Sequence, residues 1–105
     1  MSDRIDAIGK MLRKDPDDVF LHYSLGMELA ARERYAEAVS AFRRCTELDA
    51  EYLPAWVEAA KALRSAGDLS AAREAFASAM ELPAAKGETH VRDYIQQQLD
   101  GLPKA

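Results

Sequence analysis

The chain is expected to fold as an all-α superhelix of antiparallel helix pairs, and three observations carry that expectation. Ala, Leu, Glu, Arg and Met dominate, β-branched runs are absent, and helix breakers fall at regular intervals. The stretch "ERYAEAVSAFRRCTEL" (33–48) then returns 34 positions later as "GDLSAAREAFASAMEL" (67–82), so that Ala38, Ala41 and Phe42 reappear as Ala72, Ala75 and Phe76. A fixed period of this length is the signature of a repeat architecture. Finally, each of these segments carries only a thin stripe of small residues around one aromatic. On 69–82 the stripe is Ala72, Ala75, Phe76 and Ala79, and on 35–48 it is Ala38, Ala41, Phe42 and Cys45. Residues three and four apart share a helix face, and alanines there let a neighbouring helix approach closely. Such a stripe cannot be buried by one helix alone. It requires an antiparallel partner and then a stacked repeat.

Six helices follow in order, near 3–14, 18–31, 35–48, 54–65, 69–82 and 88–99. "KDPDD" (14–18) separates the first two, and its acidic residues suit a helix start. "RERY" (32–35) divides the second from the third, and "DAEYLP" (49–54) precedes the fourth, where Pro54 occupies a first turn that needs no N–H. "AGD" (66–68) combines Gly67, suited to the left-handed position that closes a helix, with Asp68 as cap of the next. "LPAAKG" (82–87) precedes the last helix, and Gly101 in "DGLP" (100–103) is expected to close it as Gly67 does.

Composition narrows the function classes. The 105 residues are 49% hydrophobic and 30% charged, with a formal net charge of -4. That balance reads as globular and argues against nucleic acid or an anionic membrane, which require a dominant basic face. There is no 18-residue apolar run to span a bilayer. "MSDRIDAIGK" lacks a basic region followed by an apolar core, so no export signal is read. The single cysteine, Cys45, cannot pair internally, which favours a reducing, cytoplasmic setting.

With the stripe, the period and the punctuation in place, the chain resembles the tetratricopeptide repeat (TPR) family, whose 34-residue signature is W-x2-L-G-x2-Y, then A-x3-F, then P. In a first repeat (19–52) the matching residues are Leu25, Gly26, Leu29, Tyr35, Ala38, Phe42 and Cys45. In a second (53–86) they are Trp56, Ala60, Leu63, Gly67, Leu69, Ala72, Phe76 and Ala79. The resemblance covers nearly the whole chain as one domain, 1–105, and extends to small bacterial proteins built of little besides such repeats. It implies that 3–14, with Ile5, Ile8, Met11 and Leu12, is the second helix of an N-terminal half-repeat. It also implies that 87–101, with Val91, Tyr94, Ile95 and Leu99, is a capping helix. Three positions depart from the signature. Glu33 stands where the turn glycine belongs, at a cost of ~1 kcal/mol if it must turn left-handed. His22 takes the tryptophan position, and Ala50 replaces the usual proline.

No catalytic, cofactor or metal site can be assembled from this sequence. His22 and His90 both fall at the tryptophan position of the frame, half-buried on a helix, and lie in separate segments from Cys45. Metal sites need ligands clustered at defined spacing. Cys45 reads as a small buried hydrophobe. The acidic "DPDD" lacks the alternation and glycine of a calcium loop, and no glycine-rich phosphate loop is present. An enzyme is therefore not expected.

What the resemblance implies is binding. In TPR arrays the first helix of each pair lines a concave groove, and the matching positions here include Phe20, Tyr23 and Met27 in the first repeat. Val57, Glu58, Lys61 and Arg64 occupy them in the second, and Arg92 on the capping helix. The expected groove is apolar at one end and cationic at the other, with a protein or peptide as partner. The acidic-tail clamp of the chaperone-binding subgroup is not expected, because Tyr23, Met27 and Glu58 hold three of its positions. The competing expectation is self-assembly, in which two copies bury the Phe20–Tyr23–Met27 edge as an isologous dimer.

Overall fold

Aspartates set the start of three of the long helices. The carboxylates of Asp3, Asp18 and Asp68 accept hydrogen bonds from the backbone N–H groups of Asp6, Leu21 and Ala71, at 3.1, 3.0 and 3.2 Å. Each bond satisfies a donor that the first helical turn leaves unpaired. The computed structural model describes residues 3–103; residues 1–2 and 104–105 of the expected domain lie outside them. The elements are α1 (Arg4–Lys14), α2 (Val19–Ala31), α3 (Tyr35–Leu48), α4 (Leu53–Ser65), α5 (Leu69–Met80), α6 (Pro83–Lys86) and α7 (Thr89–Gly101).

The helices pack in chain order, α2 along α3 and α4 along α5, with α3 also against α4, α1 against α2 and α7 against α5. The fold is the stacked superhelix of helix pairs that the 34-residue echo demands. Its core is continuous from Leu29 in α2 to Leu102 after α7. The two stripes form its centre. Ala38, Phe42, Cys45, Ala72, Phe76 and Ala79 are all at 0% exposure. Burying each phenylalanine contributes about 1.5–3 kcal/mol relative to leaving it in water.

Gly26 explains how α2 comes so close to α3. A Cβ at that position would sit 2.5 Å from the Phe42 ring. Ala60 holds the matching place in the second pair and is itself fully buried.

The turns repeat as the helices do. Glu33 and Gly67, 34 residues apart, are both left-handed, with φ 61° and 90°. Each is followed by a bond back across the turn: Arg34 N–H to Leu29 C=O and Asp68 N–H to Leu63 C=O, both 2.9 Å. His22 and Trp56 share a second local duty. The His22 ring nitrogen lies 2.7 Å from Pro16 C=O, and the Trp56 indole N–H donates to Ala50 C=O at 2.9 Å. Histidine thus reaches the same loop carbonyl that tryptophan reaches one period later.

Three expectations are corrected. There are seven helices among the described residues, not six, because α5 stops at Met80 and the single turn α6 follows it. Leu82 is extended (φ -72°, ψ 146°), as a residue before proline prefers, and Pro83 opens the new turn. Gly101 is the last residue of α7 and not a left-handed closure; only Gly67 among the described glycines has positive φ. His90 is exposed rather than half-buried, with its side chain 86% accessible, because no described element packs over it at the start of α7.

Two stability outcomes are expected from this packing. Gly26→Ala and Ala72→Leu should each overpack a closed helix contact and lower stability by roughly 1–3 kcal/mol in denaturant titration. Unchanged midpoints would contradict the close-approach geometry. Glu33→Gly should act the other way, relieving left-handed strain and stabilising by about 1 kcal/mol, which raises the melting midpoint by about 4 °C. A lower midpoint would show that the Glu33 turn is not strained.

Candidate functional site

The inner face between α2 and α4 holds a cavity of about 330 Å³ lined by Met27, Ala30, Ala31, Tyr35, Phe42, Glu58, Lys61, Ala62 and Ser65. Small side chains make its floor, so there is room above the backbone. Met27 is 40% exposed at its edge. Facing it from α4, Lys61 forms an ion pair with Glu58 one turn back, at 3.1 Å. Partial burial draws the Lys61 ammonium downward, but its bonds to Glu58 and Tyr94 more than offset this and hold it above its usual range. Lys61 is therefore charged throughout the neutral range. Burial, and then the Glu58 charge, push the Tyr23 phenol up, so it stays protonated and can donate.

The expected site residues are not all brought together. Tyr23 turns onto the core, with ring centroids 5.8 Å from Phe42 and 5.6 Å from Tyr52. It packs on the core and lines neither the cavity at Met27 nor the notch at Phe20. Phe20 is 64% exposed and lies outside the cavity, in a notch beside α1. Val57 is half-buried against the core. Arg64 is engaged on both sides, bonded to Gln98 and stacked over the Phe76 ring at 5.9 Å. Arg92 donates to Met80 C=O at 3.4 Å. Lys61 is ion-paired with Glu58, whereas Arg64 and Arg92 bond neutral acceptors and have no ion pair among the described residues. The sequence missed Tyr94 at the far side of Lys61. Its signal is faint: Tyr94 occupies, one period on, the small-residue position of Gly26 and Ala60.

A larger recess, about 640 Å³, lies on the outer face between α1, α2 and α3. The matching recess one period later is about 200 Å³. Gly9 stands in the first where Arg43 stands in the second. Trp56 also lines the second, whereas the shorter His22 does not line the first.

Cys45 is fully buried, and its thiol donates to Val19 C=O at 3.5 Å. Burial pushes the thiol up to about 11. Among the described residues, no three metal-ligating side chains come together, and no helix is long and apolar enough to cross a membrane.

Comparison with known proteins agrees with this architecture. The tetratricopeptide repeat model matches residues 21–52 and 53–86. A TPR repeat-containing protein of Pseudomonas aeruginosa is 34% identical over 104 residues, covering 96% of each chain. Among solved structures, a protein of Bordetella parapertussis determined in solution superposes with a TM-score of 0.80 at 27% identity, over 95% of this chain and 87% of that one. The TPR2B domain of yeast Sti1, in complex with pHsp70, superposes at 0.70 with 20% identity, over 90% and 81%, and so shows the fold alone.

The geometry at Cys45 predicts an inert thiol. At pH 8 a group near 11 is ionised about 10²-fold less than an ordinary thiol near 8.5, and closed packing slows it further. Native protein should react with an alkylating reagent only after denaturant is added. Prompt labelling of the native chain would show that the α2–α3 contact opens.

Proposed function

Because the chain belongs to the tetratricopeptide repeat family, we propose that it is a non-catalytic interaction module whose inner face receives a peptide or the surface of another protein. The observation that carries this reading is the α2–α4 cavity, where an alanine floor lies beside an exposed Met27 and a paired Lys61–Glu58 couple. A cavity with an apolar floor and one placed ion pair suits an apolar side chain flanked by a backbone or side-chain polar group. Methionine adapts to irregular partner surfaces at low cost. The setting in this reading is cytoplasmic, consistent with the unpaired Cys45. That yeast Sti1 TPR2B was solved with pHsp70 supports the mode of use, not the identity of the partner.

Self-association through the Phe20–Met27 edge is the second reading, favoured by the exposure of both residues. Tyr23 weakens it, because its ring is committed to Phe42 and Tyr52.

The test uses the full chain as bait in extract of the native cell, beside two surface variants, Met27→Glu and Lys61→Glu. Neither residue is buried, so Met27→Glu should melt like the wild type, and Lys61→Glu, which opposes Glu58 one turn away, should lose only about 0.2–0.5 kcal/mol of stability. Partners recovered by the wild type should fall by about tenfold or more with each, since a charge placed in an apolar contact, or reversed in a paired one, costs 1.4 kcal/mol or more. Recovery that is indifferent to both variants would move the binding surface elsewhere. Sedimentation of the purified chain decides the second reading: a dimer dissociated by Met27→Glu supports self-association, and a monomer at every concentration ends it.

A further inference from the structure

The outer recess between α1, α2 and α3 has about three times the volume of its counterpart one period later, 640 against 200 Å³. Two positions distinguish them. Arg43 and Trp56 line the second recess, and in the first their places fall to Gly9, which has no side chain, and His22, which does not reach the lining. The floor that this leaves is apolar, made by Ile5, Leu25 and Leu29. Nor does the recess depend on what precedes α1. Its counterpart has α2 before it, yet no residue of α2 lines that recess, which stays open.

Gly9 has no reason in the packing. Its φ is not left-handed, and a Cβ there would meet nothing within 4 Å, whereas one at Gly26 would strike Phe42. Glycine inside a helix costs stability relative to alanine. A residue that weakens its own helix without serving the core marks a place where function overrides folding.

We propose that this recess is a second docking site, independent of the inner cavity, and that it takes a segment of a partner protein bearing an aromatic side chain with one carboxylate beside it. The molecule itself shows what narrows such a space, since one period later the indole of Trp56 and the side chain of Arg43 do so. An aromatic ring from the partner replaces that missing volume against two leucines and an isoleucine. Charge sets the polar half. Glu37 on the rim is held by two bonds from the Arg34 guanidinium, at 2.8 and 2.7 Å, so that pair is neutral. Lys10 and Arg13 also line the recess and share it with one carboxylate, Asp6; none of the three has an ion pair among the described residues. The surplus is one positive charge, in a chain whose formal net charge is -4. One carboxylate on the occupant balances it.

A free small molecule suits this place less well. Small-ligand sites enclose most of their ligand, whereas here every charged residue of the rim is exposed and the recess opens along α1 and α3. A side chain borne on a partner needs no such enclosure, because the rest of that partner's surface covers the mouth.

The probe is a library of random peptides displayed on phage and panned against the full-length Met27→Glu chain, in which the inner cavity is blocked. Enriched peptides should carry Trp, Phe or Tyr within one helical turn of Asp or Glu. A fluorescent copy of such a peptide should bind the wild-type chain saturably in anisotropy, more weakly as salt rises, and shift the amide signals of Gly9, Leu25 and Leu29. Gly9→Leu should weaken binding by about tenfold or more while raising the melting midpoint, because a Cβ has room there and leucine favours the helix. Loss of binding in a chain that melts higher is not a folding defect. Lys10→Gln with Arg13→Gln should weaken binding about fivefold and flatten its salt dependence. Lys61→Glu, which tests the inner cavity, should have no effect, so either site can fail without the other. The inference is overturned if nothing is enriched, if the enriched peptides lack the aromatic–acidic pair, or if they bind Gly9→Leu as tightly as the wild type. A chain oligomer that Gly9→Leu dissociates would also overturn it, since the occupant would then be a second copy.

Discussion

Everything in this molecule depends on how near one helix of a pair can come to the other. At the first pair the distance is set by a residue with no side chain: Gly26 lies where any Cβ would enter the Phe42 ring. That single contact lets one aromatic be enclosed by a two-helix layer only a few residues long. The ring needs walls on all sides, and a layer this thin supplies them only if the backbones nearly touch. Ala38 and Cys45 on α3 continue the same closeness above and below the ring, and none of them retains measurable exposure. Protein interiors tolerate neither voids nor overlap at this scale. The alanines of the second pair are therefore structural for the same reason as Gly26, with Ala60 and Ala72 around Phe76.

The inner face follows from that constraint. Once α2 and α4 are drawn tightly onto α3 and α5, their other faces are left to line a shared surface. The small residues Ala30, Ala31 and Ala62 form a floor there because nothing is required to fill the space. The charges then arrange themselves by proximity. Lys61 takes Glu58 one turn away, Arg64 reaches Gln98 on α7, and Arg92 on α7 reaches back to the Met80 carbonyl at the end of α5. An arginine that stacks on a buried phenylalanine and bonds across helices works as a strut between α4 and α7. Its long apolar stem packs while its head group finds an acceptor.

The two ends of the stack are unlike. α7, the last described helix, leaves the polar Asp93 and Gln97 exposed beside Tyr94. α1, the first described helix, leaves Ala7 and Met11 exposed and buries Ile8 between them.

The sequence by itself determined the repeat, the helix pairs and most of the core, because those depend on properties local to a few residues. Spacing three and four fixes which residues share a face, aspartates and Gly67 mark ends through single hydrogen bonds and one dihedral angle, and the 34-residue period carries the assignment from one pair to the next. Even the strained Glu33 was legible, because Gly67 stands one period later at a position that demands positive φ. The extra turn at Pro83–Lys86 and the ordinary φ at Gly101 were not, since a glycine or proline permits several local endings and the packing of α7 on α5 selects one. The site was less legible still. Position in a repeat says that Phe20, Tyr23 and Met27 lie along one helix, but Tyr23 turns inward to Phe42 and Tyr52, Phe20 falls beside α1, and only Met27 reaches the cavity. Arg64 meets Gln98, a full 34 residues along the chain. Only tertiary structure decides such matters, because a long side chain settles on whichever acceptor or ring the neighbouring helix brings within reach, and that partner is set by the stacking of whole pairs.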